Sequence, residues 1–167
     1  MLGPLKRFLF EGPSVSLLRY SGTAFPLALI PEFLLLACVF PALRLAGIDP
    51  MSTPPPPLRM TIQGFIGTVL LSPIVETLAL AFILTLLSNV IKRKLPLAAA
   101  SAFLWGGLHG LYSPIWFFGT VWSFFVFSCG FLVWRERSFG AAFVAAALPH
   151  ALVNGTVFLL AALAGKA

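Results

Sequence analysis

The chain has 167 residues, 59% of them hydrophobic and 10% charged, with a mean hydropathy of +0.99. No ordinary soluble domain has that composition, and it predicts a polytopic membrane protein. Its spans should be helices, because lipid offers backbone groups no partners, and the long apolar runs do not alternate as barrel strands would. The net charge of +6 sits at the ends of the apolar runs, which suits a lipid bilayer with anionic headgroups and topology control and argues against a nucleic-acid partner.

Residues 1–21 mix Leu5, Phe8, Leu9, Leu17 and Leu18 with Lys6, Arg7, Glu11 and Arg19, the pattern of an interfacial segment lying on the membrane. A first span is expected from Gly22 to Ala46, kinked at Pro26 and Pro31 and carrying Glu32. Ile48 to Arg59 reads as a loop, since Asp49-Pro50 and the run Pro54 to Pro57 cannot continue a helix. The second span, Met60 to Asn89, bends at Pro73 just before Glu76. Lys92-Arg93-Lys94 precedes a third span, Leu95 to Tyr112, and Tyr112-Ser113-Pro114 makes a tight connection.

A fourth span follows, Ile115 to Trp134. It is rich in Phe and Trp, holds no ionisable group, and is expected to face lipid. Arg135-Glu136-Arg137 closes it, and the fifth span runs from Phe139 to Ala164 with Pro149 before His150. Cys38 and Cys129 lie in different apolar runs without metal-ligand spacing and read as small core hydrophobes. The fold class is thus all-α: a single membrane-embedded domain over 1–167 with about five transmembrane helices.

Placing the N-terminus in the cytoplasm puts Lys6, Arg7, Arg19, Lys92, Arg93, Lys94, Arg135 and Arg137 inside, and only Arg44, Arg59 and Lys166 outside. The positive-inside rule therefore favours a multi-pass protein with its N-terminus in. Depth can then be compared. Glu76 lies sixteen positions before Lys92, His109 fifteen after Lys94, and His150 thirteen after Arg137. At about 1.5 Å per residue all three sit roughly 20–24 Å from the same face. An ionisable residue at such depth costs about 2.5–3.5 kcal/mol on insertion scales, so three at one level point to a shared site. His150 and Asn154 are four apart, on one helix face, and so are Trp105 and His109. Gly106 and Gly110 form a small-xxx-small pair that admits another helix beside His109.

Glu76, then Trp105-x-x-x-His109 with Phe103 just before it, then His150-x-x-x-Asn154, resembles the CPBP family of CAAX-protease and bacteriocin-processing intramembrane glutamic proteases, formerly called Abi. The resemblance covers Ser72 to Thr156. The family pattern opens Glu-Glu-x-x-x-Arg. Here Thr77 and Ala81 replace the second Glu and the Arg, so an opposite-charge pair is missing together. The resemblance implies an intramembrane endopeptidase in which Glu76 and His109 activate water while His150 and Asn154 stabilise the oxyanion. Two histidines and a glutamate can also hold zinc, but that would use up the only obvious base, so a metal-free reaction without a cofactor is expected.

The substrate implied is a membrane-anchored protein or peptide. The outward depth of the site suits a short bacterial, myxosortase-like member in the inner (cytoplasmic) membrane, acting in protein sorting on the C-terminal tails of exported proteins. A CAAX prenyl-protein endopeptidase, and a non-catalytic scaffold or bacteriocin self-immunity protein, are the alternatives. A proton-coupled transporter is disfavoured because the spans show no inverted repeat. Glu32 could line the site or sit near the outer or middle bilayer, and a structural or gating role is expected for it rather than catalysis.

Overall fold

A computed structural model describes residues 3–10 and 15–165. Glu11 and Lys166, and the side chains of Lys6 and Arg7, lie outside the described residues. Those residues fold as helices and connections without a strand: α1 Gly3–Phe10, α2 Leu17–Leu45, α3 Ile62–Phe65, a π-helical stretch Ile66–Leu71 that runs on into α4 Ser72–Leu87, α5 Lys94–Gly110, α6 Pro114–Phe118, α7 Val121–Trp134 and α8 Phe139–Leu163. Four helical runs are long and apolar enough to cross a membrane: Leu17–Leu45, Ile62–Leu87, Pro114–Trp134 and Phe139–Leu163. The fifth expected span, α5, has 17 residues, about 26 Å of helix.

Two hydrogen bonds between connections show which helix ends lie together. Lys94 Nζ bonds Glu136, joining the α4–α5 and α7–α8 connections. At the other end, Ser113 Oγ donates to the Thr53 carbonyl and pins the proline-rich loop to the α5–α6 turn. The basic residues 92–94 and 135–137 therefore share one face, and residues 46–61 and 111–113 share the opposite one.

Local sequence explains most boundaries. Ser16, Thr61 and Ser138 cap α2, α3 and α8 with side-chain oxygens that accept from Arg19, Gly64 and Ala141 N–H groups. α2 begins five residues earlier than the sequence reading placed it, because Ser16 offers that cap. α1 is more than an interfacial helix: Phe8 stacks on Tyr20 at 4.5 Å, and Leu9 is buried with Ala98 and Cys129. Cys129 is a core residue as expected, but Cys38 lies on the outer surface.

The fourth span corrects the sequence reading. It is not lipid-facing: ten of the fourteen residues of α7 are buried, and it packs on α1, α2, α4, α5 and α8. A helix apolar all round fits lipid or core equally, so composition could not decide. Its Ser123, Ser128, Cys129 and Gly130 are the small residues that let other helices come close.

Prolines 26, 31, 41 and 149 sit inside continuous helices. Each removes the N–H that would bond the carbonyl four residues earlier. Two of those carbonyls meet α7. Trp122 Nε1 donates to the Leu27 carbonyl at 2.8 Å, where Pro31 cannot. The Ala145 carbonyl, left by Pro149, faces Gly130 so closely that a Cβ there would lie 3.0 Å from it and 3.3 Å from the Tyr20 ring. Gly130→Ala is therefore expected to destabilise the protein by about 1–3 kcal/mol, while Gly22→Ala, which meets open space, does not lower the detergent melt. A Gly130→Ala melt equal to wild type would contradict this α7–α8 contact.

Candidate functional site

The second span explains how the site is aimed. Pro73 has no N–H, and just before it the backbone shifts from i→i−4 to i→i−5 bonding, with Ser72 N–H bonding the Gly67 carbonyl. The next bond in that register, from residue 73 to the Thr68 carbonyl, cannot form. Asn154 Nδ2 from α8 donates to that carbonyl instead, at 2.9 Å. The helix then resumes, and Glu76 follows one turn after Ser72, whose hydroxyl donates to the Glu76 carboxylate.

Glu76, His109, His150 and Asn154 all line one cavity of about 570 Å³. Glu76 Oε2 lies 3.8 Å from His150 Nε2, and the Glu76 side chain is 23% exposed against 6% for His150. That separation is too long for a direct hydrogen bond. His150 stacks on Phe127 at 4.8 Å and meets the edge of Phe124 at 5.3 Å. No hydrogen bond to its ring occurs among the described residues, so its nitrogens are open to whatever fills the cavity.

His109 is fixed differently. Its Nδ1 lies 2.9 Å from the Trp105 carbonyl one turn back. A carbonyl only accepts, so Nδ1 carries a proton, and in the neutral ring Nε2 then keeps its lone pair. Trp116 and Phe124 pack around the ring. The Gly106 and Gly110 pair makes room for Phe117, whose ring and Cβ fill the places of the missing methyls. The element that comes close beside His109 is therefore the α6–α7 junction.

Glu32 also lines this cavity, from α2, and is 8% exposed. Ser123 Oγ of α7 donates to its carboxylate. The loop between α2 and α3 contributes Pro56, Pro57, Leu58 and Arg59 to the lining. It lies so near the start of α3 that a Cβ on Gly64 would come within 1.9 Å of the Arg59 carbonyl oxygen. Thr77 and Ala81, where the resembling pattern has Glu and Arg, are 2% and 5% exposed; Ala81 belongs to the apolar core.

Sequence reasoning overlooked Ser72, Thr68 and the α7 contribution of Ser123, Phe124 and Phe127. A serine four residues before an intramembrane glutamate is a usable signal for the first. The Phe-rich span gave none for the last three, because Phe suits lipid as well as it suits a histidine ring. Among the described residues no group of three or more His, Cys, Asp or Glu side chains is gathered to hold a metal ion. No family model, curated protein or solved structure matches the chain.

The role of Asn154 as partner to a proline-freed carbonyl can be measured. Asn154→Ala should cost about 0.6–2 kcal/mol. Combined with Pro73→Ala, which restores a backbone N–H near Thr68, it should cost clearly less. Additive losses in that double-mutant cycle, read as detergent melts, would mean the two positions are uncoupled.

Proposed function

We propose that this chain is an intramembrane endopeptidase of the CPBP type that hydrolyses a peptide bond in a membrane-anchored protein. The observation that carries the reading is a carboxylate and two differently held imidazoles around one cavity inside a helical bundle. The volume, about 570 Å³, is within the range of small-molecule and cofactor pockets. The order Glu, His, His and Asn along three spans is the order of the resembling family.

Chemistry follows from the state of each group. A water held between Glu76 and His109 Nε2 loses a proton as its oxygen attacks the scissile carbonyl carbon. The carbonyl oxygen becomes an oxyanion, and a His150 N–H, together with the Asn154 N–H not used by Thr68, donates to it. The C–N bond then breaks as the proton taken from water passes to the leaving amine. Ser72 holds the Glu76 carboxylate in place through this exchange.

Access supports an outward-facing site. Residues 56–59 line the cavity, three of the four are exposed, and they belong to the face opposite the basic connections at 92–94 and 135–137. With the basic face in the cytoplasm, the cavity opens outward. That suits the C-terminal sorting tail of an exported protein better than a prenylated cytoplasmic tail, which would have to cross most of the bilayer.

Glu76→Gln keeps shape and removes the base. Cleavage of a co-expressed tail reporter should fall by about 10²–10⁴-fold with the detergent melt preserved. Near-normal turnover by purified Glu76→Gln would end the assignment. Orientation has its own check in a chain without Cys38 and Cys129. Cysteine at Leu111, 84% exposed, should be labelled by an impermeant reagent from outside the cell. Cysteine at Val90, also 84% exposed, should be labelled only after lysis. The reverse pattern would place the cavity mouth in the cytoplasm.

A further inference from the structure

Glu32 is a second carboxylate in the same cavity, and the activity above assigns it nothing. Its position is built. Pro31 leaves the Leu27 carbonyl open, and Trp122 Nε1 clamps that carbonyl at 2.8 Å. The next residue of α7, Ser123, donates to the Glu32 carboxylate itself. Leu27 and Glu32, five positions apart on α2, thus engage the adjacent residues Trp122 and Ser123 of α7, and the carboxylate is aimed between the helices with 8% of the residue exposed.

No lysine or arginine is within ion-pair distance of Glu32 among the described residues, where Lys94 pairs with Glu136 and His150 lies near Glu76. Among the described residues Arg59 is the one lysine or arginine lining the cavity, and it is exposed within the loop between α2 and α3. The interior therefore holds two carboxylates and no lysine or arginine. An intramembrane carboxyl without a counter-charge is costly and normally marks a ligand or ion position. A carboxyl serving only to tie α2 to α7 would need no cavity in front of it, and the Trp122–Leu27 bond already makes that tie.

We propose that the Glu32–Ser123 end of the cavity is a recognition subsite for a lysine or arginine side chain of the bound polypeptide. The identity of the ligand as a polypeptide rests on the peptidase reading. Glu32 supplies the charge, and Ser123 fixes the direction of the carboxylate. Phe33 and Leu36 on α2 offer an apolar wall for a long aliphatic stem. Phe124 and Trp116 present aromatic rings to the same space, and rings of that kind stabilise a desolvated cation. Glu76 remains with the water and the scissile bond.

The test uses the full-length protein and a single-span reporter tail, with lysine or glutamine placed in turn at each position across its outer end. Two readouts are taken: cleavage by the active enzyme, and co-purification with the Glu76→Gln variant. At one position the lysine tail should be cleaved, and retained by Glu76→Gln, at least about 30-fold better than the glutamine tail. Glu32→Gln should bring both ratios toward one, and Glu32→Asp, which keeps the charge, should restore part of the preference. A role of Glu32 in holding helices together would lower the melt of Glu32→Gln without changing either ratio. Lysine-dependent retention without any cleavage would defeat the peptidase reading and leave the subsite standing. Cleavage with no lysine preference at any position, a preference that survives Glu32→Gln, or neither cleavage nor retention would overturn the subsite.

Discussion

A proline inside a membrane span leaves a carbonyl without its backbone donor, and in lipid that carbonyl must find another. The architecture follows from how this is met. Pro31 exposes the Leu27 carbonyl, which Trp122 of α7 takes up. Pro73 prevents the backbone bond to Thr68, and Asn154 of α8 replaces it. Pro149 leaves the Ala145 carbonyl facing Gly130. The carbonyls freed by Pro31 and Pro73 thereby tie α2 to α7 and the second span to α8, and the one freed by Pro149 packs against α7. Two of the three prolines stand next to a cavity residue, Glu32 and His150, and the third stands one turn before Glu76.

The cavity is consequently set by backbone requirements as much as by the polar side chains that line it. Glu76 and Glu32 are each held by a serine, one on its own helix and one on α7. The two histidines are held in opposite ways. His109 is committed through Nδ1 to a backbone carbonyl, whereas His150 is held only by aromatic packing. Phe124 lies against both rings, 5.5 Å from one and 5.3 Å from the other. That asymmetry is what a hydrolytic reading needs: one imidazole in a defined tautomer beside the base, and one free to turn a donor toward developing charge.

Much of this was legible in the residues. Apolar run length and proline-rich breaks located the helices, because lipid thickness and backbone satisfaction leave few choices. Helical rise counted from the basic clusters put Glu76, His109 and His150 at one depth, and all three line the cavity. Three things were not legible. Burial of α7 was hidden because an all-apolar span has no polar face to orient it. The π-helical shift at Ile66–Leu71 was hidden because Pro73 signals a break but not how the backbone accommodates it. The pairing of Glu32 with Ser123 joins residues 91 apart in sequence, and no local pattern announces a contact of that range.

The account stands on the cavity being an aqueous compartment that opens at residues 56–59, since hydrolysis inside a bundle needs water at Glu76. Thiol reactivity measures this most directly. In sealed vesicles, with the native cysteines removed, cysteine placed at Thr120, which lines the cavity, should react with a small polar thiol reagent added from the side of Leu111. Cysteine at Leu86, which is exposed on the outer surface of α4, should react only with a lipid-soluble reagent. If the Thr120 cysteine stays inert to the polar reagent from both sides and yields only to the lipid-soluble one, the cavity is dry and the hydrolytic account is wrong.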